Sequence, residues 1–137
     1  MPTLPAAIPV VCALIEREGL LLVAQRPAHK HLALKWEFPG GKVEAGEQPE
    51  AALVREAHEE LGCEIVVLRP LPRHRHHYGD KIIEMIPFVC RLLPESPEPR
   101  PHEHVALDWL KPSAIAALDL AAADHPILAS YHQGIAG

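Results

Sequence analysis

Two apolar, β-branched-rich runs, Val10–Ile15 and Leu20–Ala24, flank the polar tetrapeptide Glu16-Arg17-Glu18-Gly19. That pattern predicts a strand, a turn and a second strand. From Pro49 to Leu61 the spacing becomes helical: Leu53, Val54, Ala57 and Leu61 share one side, Pro49 fits the first turn, and Gly62 follows the end. Further runs predict strands at Glu64–Leu68, Arg73–Tyr78, Lys81–Leu93 and Val105–Leu110, and short helices at Pro112–Leu118 and Pro126–His132. Pro39-Gly40-Gly41 reads as a tight turn, and Pro94–Pro101 as a proline-rich surface loop too short to separate domains. The sum is one α+β domain over residues 1–137, with several strands around one long central helix.

With 48% hydrophobic residues, a chain of 137 can bury a core without disulfides or structural metal. Cys12, Cys63 and Cys90 form no CxxC pair and sit in apolar runs, which predicts buried free thiols. The net charge of −5 and the lack of any Lys/Arg run argue against a nucleic-acid polymer as partner. A locally basic stretch, Arg26–Lys42, stands out in this acidic chain. Met1–Pro5 lacks the charged start of a signal peptide, and the apolar stretch Ala6–Ile15 is too short to span a bilayer. A cytoplasmic monomer or homodimer with no membrane partner is the expectation.

The predicted helix carries a second feature. At about 100° per residue, Glu56, Glu59 and Glu60 fall within one arc beside the apolar face. Carboxylates at i, i+3 and i+4 repel one another, and late in a helix they oppose its dipole. A solvated acidic face would explain them if they stood alone. They do not: the sequence runs Gly41-x5-Glu47-x7-Arg55-Glu56-Ala57-His58-Glu59-Glu60-Leu61-Gly62-Cys63. This resembles the Nudix box, and all seven fixed positions match, with Ala57 and Cys63 at the two apolar ones.

The resemblance implies an α/β/α sandwich with a mixed sheet and a central catalytic helix. It also implies a hydrolase that cleaves nucleoside diphosphate linkages with Mg²⁺, for which Mn²⁺ can substitute. Glu56, Glu59 and Glu60 would anchor the ion together with the carbonyl of Gly40. Mg²⁺ prefers oxygen ligands, and it can polarise a phosphoryl group and acidify a bound water. Gly41, Glu47, Arg55 and Gly62 take structural roles in this reading, Glu47 and Arg55 as a pair orienting loop and helix.

The flanks resemble the MutT branch, the nucleoside triphosphate pyrophosphohydrolases. Trp36-Glu37-Phe38-Pro39-Gly40-Gly41-Lys42 leads into the box, Ala24-Gln25-Arg26-Pro27 ends the second strand, and His102-Glu103-His104 precedes Asp108-Trp109 and Asp124-His125-Pro126. By that resemblance Glu103 is a further metal ligand or base, and Arg26, Phe38, Lys42 and Asp124 contact substrate. Each has a plainer explanation. These are a solvated loop carboxylate for Glu103, a surface ion pair for Arg26, a core ring for Phe38 and a helix cap for Asp124. An ionised Asp124 only accepts hydrogen bonds, which suits the amino group of cytosine, whereas 8-oxoguanine needs both a donor and an acceptor. The expected substrate is thus a modified nucleotide such as 8-oxo-dGTP, or alternatively CTP or a 5-substituted dCTP. A non-catalytic nucleotide-sensing module is the alternative from another class. His74, His76 and His77 lie on a strand without a Cys or carboxylate partner at suitable spacing, so they read as a polar face rimming the cleft rather than a zinc site.

Overall fold

The computed structural model describes residues 6–136; Met1–Pro5, inspected above for a leader, lie outside the described residues. Strands β1 (Ile8–Arg17) and β7 (Lys81–Leu92) form the centre of the sheet and run parallel, from Ile8 opposite Ile83 to Ile15 opposite Cys90. Around them pair β2 (Leu20–Gln25), β3 (Trp36–Glu37), β4 (Gly40–Lys42), β5 (Ile65–Pro70), β6 (His74–Tyr78) and β8 (Ala106–Leu110). The path runs β3-β2-β1-β7-β5, with β4 on β1, β6 on β7 and β8 on β2. Apart from the β1–β7 pair, these pairings are antiparallel, so the sheet is mixed.

Because β1 lies at the centre, both of its faces are buried, which is why Val10–Ile15 reads as continuous apolar sequence rather than alternation. Val11, Ala13 and Ile15 point to one side and pack with Leu53, Ala57 and Leu61 of α1 (Pro49–Leu61). Cys12 and Leu14 point to the other side, toward Ile115 of α2 (Pro112–Ala116) and Ile127, Leu128 and Tyr131 of α3 (His125–Ala136). Helices therefore cover both faces of the mixed sheet, and the α/β/α sandwich expected from the resemblance is the observed architecture. Truncating a core leucine such as Leu53 to Ala would cost about 2–5 kcal/mol.

Helix α1 keeps its predicted limits. Pro49 occupies its first turn, and Gly62 ends it in the left-handed region at φ 63°, its N–H donating to the carbonyl of His58. The Pro39-Gly40-Gly41 turn is corrected: Gly40–Lys42 is a strand, paired with Val10–Cys12. The glycines permit this, since a Cβ on Gly40 would stand 1.9 Å from the carbonyl oxygen of Val11. The last helix begins one residue earlier and extends further than Pro126–His132. A 3-10 turn at Ala122–Asp124 leads into it. No helix among the described residues is long and apolar enough to cross a membrane.

Candidate active site

A cavity of about 220 Å³ opens where β1, β4, the last turn of α1 and the loop before β8 meet. Its lining includes Glu60, Glu103, Gly40 and Gly41, the apolar Phe38, Cys12 and Met85, and the polar Asp124, Arg26, Lys30, Glu37 and His104. Residues distant in sequence thus converge because β1 carries β4 on one flank and α1 across its face.

The box organises around Arg55. Its Nε and one terminal nitrogen grip Glu47 at 2.7 and 3.0 Å, and that same nitrogen reaches the carbonyl of Lys42 at 3.2 Å. The other nitrogen reaches Glu56 at 2.9 Å and Glu59 at 3.1 Å. This fork holds the loop before α1 against the helix, and it pushes the Glu47 carboxyl down to about 2. Gly41 makes room for Glu56: a Cβ there would sit 2.4 Å from the carboxyl carbon of Glu56. Glu59 is exposed and turned along Arg55.

Glu60 behaves differently. Burial, then the charges of Glu56, Glu37 and Glu103, raise its pKa to about 8. Both causes disfavour the ionised carboxylate where no counter-charge is present. The available donors are all oxygen, from Glu56, Glu60, Glu103 and the Gly40 carbonyl, and in chemistry they fit a hard divalent cation. Among the described residues no three such side chains already converge as a ligand group.

Glu103 is placed by the end of α1. The N–H groups of Arg100 and His102 donate to the carbonyls of Leu61 and Glu60 at 2.9 and 3.2 Å. His102 Nδ1 pairs with the Glu59 carbonyl at 3.0 Å. Three carbonyls left open at the helix C-terminus are so satisfied by the segment that carries Glu103.

Asp124 is fully buried, and its Oδ2 accepts the backbone N–H of Phe38 at 2.8 Å. It lies inside the 3-10 turn, and its carboxyl faces β3–β4 rather than capping α3. Burial foremost raises its pKa to about 8, against the pull of the Phe38 N–H; Glu37 adds to the rise and Arg26 opposes it. Burial thus favours the neutral acid, which unlike the ionised carboxylate has an O–H to donate.

Glu37, which sequence reasoning left without a role, ties the cavity wall together. It takes Arg26 at 3.2 and 3.3 Å and His104 Nε2 at 2.9 Å. Arg26, also bonded through Nε to the His31 carbonyl at 2.7 Å, is committed to the wall even as it lines the cavity. The His104 side chain is buried, and its Nδ1 has no partner among the described residues. Lys42 is exposed at the end of β4 and does not line the cavity, whereas Lys30 does. The sequence signal for Lys30 was its place within the basic Arg26–Lys42 stretch, and for Glu37 its place in the Trp36–Lys42 flank of the box. On β6, His74 pairs with the Ala123 carbonyl at 3.0 Å, His76 packs on Tyr78, and His77 faces outward.

Residues 10–130 match the NUDIX domain, and the chain belongs to this family: it is a Nudix hydrolase. It is 41% identical over 128 residues to the CTP pyrophosphohydrolase of Escherichia coli K12, covering 90% of each chain. It is 31% identical over 109 residues to the 8-oxo-dGTP diphosphatase of the same organism, covering 80% of this chain and 83% of that one. The solution structure of the E. coli ORF135 protein superposes with a TM-score of 0.81 at 41% identity, covering 93% of this chain and 89% of that one. Nudix hydrolases generally use a divalent metal and act on small nucleotide substrates.

Proposed function

We propose that this enzyme hydrolyses nucleoside triphosphates to the monophosphate and pyrophosphate, with Mg²⁺ or, in its place, Mn²⁺. The observation that carries the reading is a single cavity lined both by Glu60 and Glu103 beside Gly40 and by the buried Phe38 and Asp124. Glu56, Glu60, Glu103 and the Gly40 carbonyl would hold the metal, with Glu59 further out. Once bound, the metal would neutralise phosphate charge and make water a better nucleophile. Phe38 and Asp124 bind the base, Phe38 through its ring and Asp124 through the carboxyl oxygen that Phe38 N–H leaves free.

Cytosine nucleotides are the favoured substrates, on the strength of the 41% identical CTP pyrophosphohydrolase. The burial of Asp124 also supports 8-oxo-dGTP: it favours the protonated acid, which can donate to O6 while still accepting from N7–H. Pyrophosphate release from a panel of nucleotides tests the reaction. Orthophosphate as the only product, or full activity in EDTA, would refute it.

The base reading predicts a pH dependence. Below about pH 8 Asp124 carries its proton and accommodates O6; above it the carboxylate favours the cytosine amino group. The kcat/KM ratio of CTP to 8-oxo-dGTP should therefore rise about ten-fold between pH 6.5 and 9, within the ~1–3 kcal/mol of a good base contact. In Asp124→Asn, which does not titrate, the ratio should be flat. A parent ratio that is equally flat would place base selection elsewhere.

A further inference from the structure

The cavity is lined by four acids, Glu37, Glu60, Glu103 and Asp124, but among the described residues by only two cations, Arg26 and Lys30. The two cations are not equivalent. Arg26 is held by Glu37 and by the His31 carbonyl and has little charge to offer a ligand. Among the described residues the Lys30 ammonium meets only Glu103, Nζ to Oε2 at 4.0 Å, with both side chains about half exposed. A pair at that distance in solvent is weak and readily exchanged.

The pair also joins two loops that line the cavity. Lys30 comes from the loop between β2 and β3, Glu103 from the loop stitched to the end of α1. The Lys30 loop is braced at its base by Gln25 Nε2 on the Leu34 carbonyl at 3.1 Å and by Lys35 on Asp119 at 2.6 Å. It holds Leu32 and Leu34 at φ 58° and 60°, a conformation that leucine adopts only when its surroundings impose it. The lysine is therefore presented over the cavity by a shaped loop rather than left on a free one.

We propose that Lys30 is a polyphosphate-binding residue of this enzyme and that its pairing with Glu103 is exchanged when nucleotide binds. The incoming phosphates take the ammonium group, and Glu103 is released toward Glu56 and Glu60. Substrate entry and completion of the carboxylate cluster are then one event. This rests on the nucleotide-hydrolase reading above.

Two measurements test it: steady-state kinetics with CTP and Mg²⁺, and Mn²⁺ binding to the nucleotide-free protein followed by electron paramagnetic resonance. K30M should raise KM about ten-fold, change kcat less than three-fold and flatten the salt dependence of KM; K30R should restore KM. Without nucleotide, K30M should bind Mn²⁺ two- to three-fold more tightly than the parent, and this gain should vanish when K30M is compared with its parent in an E103Q background. An unchanged KM in K30M overturns the phosphate role. An equal gain in Mn²⁺ affinity in the E103Q background overturns the exchange with Glu103. If the parent cleaves no nucleotide at all, the functional reading fails first, and the Mn²⁺ comparison still decides whether Lys30 restrains Glu103.

Discussion

Glu60→Gln is expected to lower turnover about a thousandfold or more, a loss of about 4 kcal/mol at the transition state, while leaving the protein folded and at least as stable without metal. The two halves of this expectation share one cause. Glu60 sits half-buried against the charges of Glu56, Glu37 and Glu103, a cost the fold bears in metal-free protein. Removing the charge relieves that cost but takes away an oxygen anion needed at the phosphate end. Thermal melts in EDTA should show an equal or higher Tm for the variant, and kinetics at saturating Mg²⁺ should show the loss. Near-parental turnover would remove Glu60 from the metal site. A variant that fails to fold would make it a structural residue. Glu56→Gln should show a comparable loss in turnover. Its stability should fall slightly, because Glu56 also accepts from Arg55.

Gly40→Ala should be the most destabilising glycine-to-alanine change among the described residues. The added carbon would stand 1.9 Å from the Val11 carbonyl oxygen and 2.7 Å from the Cys12 Cα, both backbone atoms that no rotamer change can move aside. To admit it, β4 must part from β1 and lose the pairing of Gly40 with Cys12. Overpacking costs up to about 3 kcal/mol, and the lost ladder adds to it, so Tm should fall by roughly 10 °C or more. Urea denaturation of the variant beside Gly46→Ala, whose Cβ meets nothing within 4 Å, separates this clash from the strain of a positive φ. A loss at Gly40 no larger than that at Gly46 would show that β4 can shift to admit the methyl at little cost.

The sequence was most legible where local chemistry and packing agree. In α1, proline at the start, glycine at the end and one apolar side all specify the same helix, and its limits match the expectation. β3 and β4 left no such mark, because two or three residues are too few to display a period and two of the five are glycines. The glycines betray a need for closeness without saying to what; only the fold shows that one faces Val11 and the other Glu56. Among the cavity residues, those in the box were legible through motif spacing. Lys30, Glu37 and the buried state of Asp124 were not, since each depends on partners far along the chain. Lys42 drew attention by adjoining the box, yet it ends at the exposed tip of β4.

The contacts between Arg100–His102 and the last turn of α1 also bear on how activity would fail. Helix ends fray more readily than whole domains unfold. Here the fraying turn itself carries Glu59 and Glu60, and the strand of chain clasping it delivers Glu103. Loosening a few hydrogen bonds at one end of one helix would scatter three carboxylates at once, long before the sheet noticed. Heat or mild denaturant should therefore abolish catalysis in a sharp step while the bulk spectroscopic signal of the fold is still intact, and a ligand that bridges these carboxylates would act as a clasp on the helix end.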